Sequence, residues 1–131
     1  MATIEEDYTS FEIAKLLKEK GFDEPCYGSY SYRGGNVVVR ASKLSNTDLC
    51  YHLDISGISA PTLQMTMKWL REVYKIFIEI SVSIDLNGNY HYSYSILDKE
   101  CKYLRNGYTD FDWNYEQACE VAIKYCLENL I

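Results

Sequence analysis

From Ile76 to Ile84 the chain alternates without a break: Ile76, Ile78, Ile80, Val82 and Ile84 stand between Phe77, Glu79, Ser81 and Ser83. A period of two with β-branched residues along one side dictates an extended strand with an aliphatic face and a mixed face. One side of the sheet it joins must be covered and the other at least partly wet.

The following residues govern how the chain returns. Asp85-Leu86-Asn87-Gly88 ends the strand, and Tyr90, Tyr92, Tyr94 and Ile96 then alternate with His91, Ser93 and Ser95. Two turns compete. A two-residue Asn87-Gly88 turn would pair Ile84 with His91 and Val82 with Ser93, which sets the tyrosines opposite the aliphatic face. A three-residue loop, Leu86-Asn87-Gly88, with Gly88 left-handed as a bulge, pairs Ile84 with Tyr90, Val82 with Tyr92, Ile80 with Tyr94 and Ile78 with Ile96. Register follows the buried face, so the bulged turn is expected, with Asp85 capping it through its side chain.

Before this hairpin, Leu63, Met67, Leu70 and Tyr74 recur at helical spacing, with Trp69 and Val73 beside them and Thr66, Lys68, Arg71 and Glu72 opposite. Ser59 as N-cap and Pro61 in the first turn predict a helix from about Ala60 to about Tyr74.

The rest of the chain supplies material around these two elements. Residues 1–8 are expected to fray. Thr9-Ser10-Phe11-Glu12 is a capping-box pattern, Ile13, Ala14, Leu16 and Leu17 form an apolar stripe, and Gly21 followed by Phe22 reads as a glycine C-cap with its hydrophobic partner. Tyr30 and Tyr32 alternate with serines before Gly34-Gly35 and Val37, Val38 and Val39. A glycine turn there pairs Tyr32 with Val37 and Tyr30 with Val39. Ser42 to Asp48 reads as loop, and the alternation of Leu49, Tyr51, Leu53 and Ile55 as a short strand. Lys102 to Leu104 fits a short third strand after the long hairpin, closed by Asn106-Gly107. Asn114 and Gln117 cap a last helix carrying Ala118, Cys119, Ala122, Tyr125, Cys126 and Leu130 on one side.

The order helix-hairpin-helix-hairpin-helix predicts an α+β fold: two layers, an antiparallel sheet built from two hairpins, and three helices. With 131 residues, the chain (1–131) is expected to form one domain.

Net charge is −6, and the 13 lysines and arginines are scattered. This argues against a phosphate-backbone binder, which normally shows a basic stripe, and against an anionic membrane surface. No apolar run approaches the roughly 18–20 residues of a membrane-spanning helix. Met1 to Asp7 is acidic and lacks the basic and apolar regions of a signal peptide. Five cysteines, an odd number without paired spacing, fit free and mostly buried thiols in a reducing cytoplasm.

Three segments carry a resemblance. Ser10 through Phe22 (SFEIAKLLKEKGF), Ser59-Ala60-Pro61-Thr62-Leu63 running to Trp69-Leu70-Arg71-Glu72-Val73, and Tyr115-Glu116-Gln117-Ala118 resemble small uncharacterised proteins of gut Bacteroidales genomes, their prophages and their phages. The resemblance covers the predicted helices, about a third of the chain. It implies a bacterial, phage-related cytoplasmic protein, and it brings no activity and no functional residue with it.

Candidate chemistry is sparse. The 13 tyrosines outnumber four phenylalanines, and Tyr27, Tyr30, Tyr32, Tyr90, Tyr92 and Tyr94 lie among serines. Such a mixture suits adaptable recognition surfaces, or Tyr90, Tyr92 and Tyr94 share the core face with the isoleucines, their hydroxyls at its rim. A third use, stacking of single-stranded bases, needs cations around the stackers, and the flanking residues here are serine, asparagine and aspartate. Cys50, His52 and Asp54 offer three metal-ligand types on one strand face, without the second ligand pair that zinc sites usually have. His91, Glu79 and Asp98 could share a sheet face, with no nucleophile nominated beside them. No phosphate loop, dinucleotide fingerprint or nucleophile elbow is present, so no catalytic residue, cofactor or metal is expected.

The best partner-binding candidate is the aromatic, acidic stretch Tyr108, Asp110, Phe111, Asp112 and Trp113, which fits a basic, apolar groove. The leading expectation is a small cytoplasmic protein-binding module with a basic partner or a second copy of itself. The alternatives are a small enzyme or nucleotide-binding domain near His91 or His52, and a single-strand binder using the sheet tyrosines.

Overall fold

The structure, a computed structural model, describes residues 4–51, 57–107 and 113–131, with the side chain of Tyr51 left aside. Its class is α+β, as the pattern predicts, but the single sheet is replaced by two. Among the described residues there are two antiparallel three-stranded sheets and four helices. The chain divides into two compact units, Met1–Leu63 and Gln64–Ile131.

Unit one holds helix α1 (Phe11–Glu19), strands β1 (Cys26–Ser31) and β2 (Gly34–Leu44), helix α2 (Asn46–Tyr51) and strand β3 (Ile58–Ser59), with sheet order β2-β1-β3. The cap of α1 is Ser10, whose Oγ accepts the Ile13 N–H at 3.3 Å. Thr9 is drawn into the sheet framework instead: its N–H donates to the Pro61 carbonyl, and its own carbonyl accepts the Tyr30 hydroxyl at 2.6 Å. The helix ends where the sequence says it should. Gly21 is left-handed, the Phe22 N–H reaches back to the Leu17 carbonyl, and the Phe22 ring is buried. This is the glycine-terminated cap that satisfies the last free carbonyls of a helix.

Hairpin one departs from expectation. Ser31 pairs with Gly34, so the turn is Tyr32-Arg33 and not Gly34-Gly35; Ser29 then pairs with Val38 and Gly28 with Val39. Both glycines have positive φ, 83° and 93°, and absorb a bulge on the β2 side. A turn whose two central residues are right-handed accepts almost any residue there, and the left-handed residue it needs comes afterwards. The glycines therefore mark the bulge, one step beyond the turn.

Region 42–58 also differs. β2 runs on to Leu44, and a six-residue helix follows. Ser45 and Asp48 cap it reciprocally: Ser45 N–H to Asp48 Oδ2 at 2.9 Å, and Asp48 N–H to Ser45 Oγ at 3.1 Å. Buried Asn46 ties this helix to its neighbours, donating to the Phe22 carbonyl and accepting the Ser59 N–H. Ser59 does not serve as the predicted helix cap: its Oγ donates to the Leu44 carbonyl at 3.4 Å. Ser59 pairs with Ser29 in the sheet, Tyr8 bridges Thr62, and the helix starts only at Leu63. Residues 1–8 are likewise not all loose, since Asp7 accepts the Leu63 N–H and Tyr8 packs where a Cβ on Gly28 would fall.

Helix α3 (Leu63–Tyr74) buries Leu63, Met67, Leu70 and Trp69 as predicted, but Val73 and Tyr74, expected on the same side, are exposed, and Thr66, expected opposite, is buried. It ends at left-handed Lys75, with the Ile76 N–H bonded to the Leu70 carbonyl and the Ile76 side chain buried. Unit two continues with β4 (Phe77–Ile84), β5 (Tyr90–Leu97), β6 (Tyr103–Gly107) and α4 (Tyr115–Asn129), in the order β4-β5-β6. The β4–β5 register is the one the buried face selects: Ile84 with Tyr90, Val82 with Tyr92, Ile80 with Tyr94, Ile78 with Ile96. Third strand β6 takes in Asn106 and Gly107 rather than ending before them. Gly107 sits flat under the Tyr94 ring, where a Cβ would lie about 2.0 Å from a ring carbon. The Asn114–Gln117 capping box forms in full. Helix α4 buries Ala118, Cys119, Ala122 and Cys126, joined by Ile123 and Leu127; Tyr125 and Leu130 are only half-buried.

Candidate functional site

The long hairpin β4–β5 is unevenly covered. On its aliphatic-aromatic face, Ile96 is fully buried and Tyr94 is 3% exposed. Truncating a buried aliphatic such as Ile96 costs about 2–5 kcal/mol, so this end is firmly anchored. Tyr94 stacks on Trp113 (centroids 5.8 Å apart, planes at 27°), and its hydroxyl accepts from Arg105 Nε at 3.0 Å. Arg105 lies in turn over the Tyr125 ring at 4.3 Å. Tyr92 meets the first residue of α4, Tyr115, edge to face at 6.0 Å. Beyond that contact the face emerges from under the helix. Val82 is 59% exposed, Ile84 61% and Tyr90 66%, and Leu86 at the tip is fully exposed. The tyrosines thus grade from core to surface along a single strand.

The tip itself is built by Asp85. Its Oδ1 accepts the N–H groups of Asn87 (2.8 Å) and Asn89 (2.9 Å), while Oδ2 meets His91 Nε2 at 2.8 Å. Gly88 is left-handed, as expected of a bulged turn. The His91 contact, followed by the Asn89 N–H, pulls the Asp85 carboxyl down to about 2. His91 is therefore engaged in holding a turn together. His52, the other histidine considered for chemistry, lies outside the described residues, as does Asp54.

Of the predicted partner-binding stretch, Tyr108, Asp110, Phe111 and Asp112 also lie outside the described residues. Trp113 is half-buried against Tyr94. Cys50 is exposed on α2, and among the described residues no group of three acidic, cysteine or histidine side chains is placed to hold a metal ion. Burial lifts the Cys26 thiol to about 11 and the Cys126 thiol to about 12, so neither is a ready nucleophile.

Two features escape the sequence reading. In unit one, cations reach the exposed tyrosines across the fold: Lys18 Nζ lies 4.8 Å from the Tyr32 ring centre and Lys43 Nζ 5.2 Å from that of Tyr27. They are 14 and 16 residues from the rings they cover, so no local pattern announces them. An open groove in the same unit is lined by acidic Glu5, Glu6 and Asp7 together with Tyr8, Tyr30, Val37 and Val39.

No family model matches the chain, and no curated protein or solved structure is similar enough to it to show a family. No described helix is long and apolar enough to cross a membrane.

Proposed function

We propose that this chain is a small cytoplasmic binding module that acts through protein–protein contact, of phage or prophage origin in keeping with the resemblance of its helical segments. The observation that carries the reading is the bare far half of the long hairpin. Val82, Ile84 and Tyr90 form an apolar tract on a fully paired ladder, with exposed Leu86 at its tip. Contiguous apolar surface of this kind usually marks a contact site, and tyrosine is among the residues enriched in contact hot spots. The net charge of −6 favours a basic partner, through faster encounter and rejection of acidic competitors. The stretch from Tyr108 to Trp113 is a second contact element in this reading.

The test is affinity capture of the tagged protein from bacterial host lysate, with and without nuclease, beside an Ile84→Ser/Tyr90→Ser variant. A stoichiometric protein that survives nuclease and is lost with the variant supports the reading. A protein retained by the variant moves the contact away from the hairpin tip. A second reading has its own observation: the Lys18–Tyr32 and Lys43–Tyr27 pairs give unit one stackers with cations, the minimum for single-stranded nucleic acid. Recovery of nuclease-sensitive nucleic acid, abolished by Tyr27→Ala/Tyr32→Ala, would favour it.

A further inference from the structure

Among the described residues the two sheets present four edges, and three are blunted. β2 carries Arg40 and Lys43, opens on two left-handed glycines and is irregular in two places in its pairing with β1; β3 has two residues; β6 has five, with Arg105 among them. Short length, charge and bulges are the usual means of keeping a sheet edge from pairing with another chain. β4 has none of them. It is eight residues long, regular throughout its pairing with β5, free of proline and glycine, and carries one charge, Glu79. Its residues from Ser81 to Ile84 are all exposed.

The hydrogen-bond phase tells which groups this edge offers. Asp85 donates its N–H to the Asn89 carbonyl across the hairpin. Bonded pairs alternate along an antiparallel ladder, so Ser83, Ser81, Glu79 and Phe77 point their backbone groups inward at β5. Ile78, Ile80, Val82 and Ile84 point theirs outward.

We infer that β4 pairs antiparallel with β4 of a second copy of this chain about a two-fold axis at Ser81, joining the two β4–β5–β6 sheets into one of six strands. This rests on the reading of the chain as a protein-contact module, and names one partner. The register follows from self-complementarity. With Ser81 opposite Ser81 of the second copy, Ile80 faces Val82 and Ile78 faces Ile84, so all four outward-pointing residues on each side find backbone partners. Shifting the axis to Ile80 or Val82 leaves fewer pairs, and the latter also sets Glu79 against Asp85. In the Ser81 register the lone Glu79 faces Ser83, and no like charges meet. Exposed Val82 and Ile84 come to rest beside half-buried Ile80 and Ile78, which extends the apolar face that each copy leaves bare.

The experiment is sedimentation velocity of the full chain over a concentration series, for wild type, Ser81→Lys and Ser81→Glu, with folding checked by circular dichroism. Ser81 is exposed, so either substitution leaves the monomer intact while placing like charges together at the axis. Wild type is expected to be dimeric, each variant monomeric, and an equimolar mixture of the two variants dimeric again. Register is read separately in a background with exposed Cys50 and Cys101 changed to serine. Ser81→Cys should form a disulfide-linked dimer on mild oxidation, because the facing Cα atoms of a non-bonded antiparallel pair lie about 4.5 Å apart. Ser83→Cys should not. A wild type that stays monomeric, a dimer indifferent to Ser81→Lys, or a charge-swapped mixture that stays monomeric each overturns the inference. None of these results bears on capture of a different protein from lysate, so the two proposals fail separately.

Discussion

Unit two contains the same turn twice. At the first, Asp85 accepts the N–H groups two and four residues on, the Gly88 N–H returns to the Asp85 carbonyl, and the Asp85 N–H reaches Asn89. At the second, Asp98 accepts from Glu100 and Lys102, the Cys101 N–H returns to the Asp98 carbonyl, and the Asp98 N–H reaches Lys102. The left-handed position is Gly88 (φ 81°) in one and Cys101 (φ 61°) in the other. One carboxylate with two lone-pair directions suffices to organise a three-residue loop, and the left-handed residue is then held there whatever its type. Glycine makes the turn cheap; aspartate makes it specific.

Exchanging the left-handed residues should break the likeness in opposite directions. Gly88→Ala is expected to lose about 1–2 kcal/mol in denaturant unfolding, the cost of a Cβ in left-handed backbone. Cys101→Gly should instead gain up to about 1 kcal/mol, offset in part by the greater chain entropy of glycine when unfolded. Equal signs for the two would mean the turns are not equivalent.

The smallest expected effect is electrostatic. Both carboxyls lie below the ordinary 3.8: Asp85 through His91 and then the Asn89 N–H, Asp98 mainly through the Lys102 N–H. A lowered folded-state value means the stabilisation is fully present above 3.8 and is lost as pH falls through the folded value, about 2 for Asp85. His91→Gln should raise the Asp85 midpoint in a carboxyl NMR titration, since the His91 contact is the largest cause of its lowering. It should also shrink the loss of melting temperature between pH 4 and pH 2. An unmoved Asp85 midpoint would mean that the backbone N–H groups alone set it.

These turns also show what a sequence declares. Asn87-Gly88 after an alternating strand is a strong local sign, and the matching faces of the isoleucines and tyrosines decide the register. Lys99-Glu100-Cys101 offers no such sign; only Asp98 and the following strand hint at the second turn. Gly34-Gly35 misleads because glycine serves a bulge as readily as a turn, and Tyr32-Arg33 at the turn itself is uninformative. The Ser45–Asp48 box falls in a stretch that reads as loop, because a helix of six residues is too short to show a period against the competing alternation from Leu49. Ser59 looks like a cap until its pairing with Ser29, thirty residues earlier, places it in a strand four residues before the helix starts. The bare hairpin tip was illegible for a similar reason. The pattern marks Val82, Ile84 and Tyr90 as one face with Ile96, and only the start of α4 at Tyr115 determines where cover ends.

The bridge between Tyr8 and Thr62, with Thr9 and Leu63 bonded on either side of it, has a consequence in time. The β4–β5–β6 meander is closed by short loops between successive strands, the kind of contact a chain finds quickly. The Tyr8–Thr62 bridge joins the two ends of unit one, and closing it carries the entropic cost of the largest loop in that unit. That cost predicts a clasp that fastens late in folding, to be read as low hydrogen-exchange protection of the Thr9 and Leu63 N–H groups.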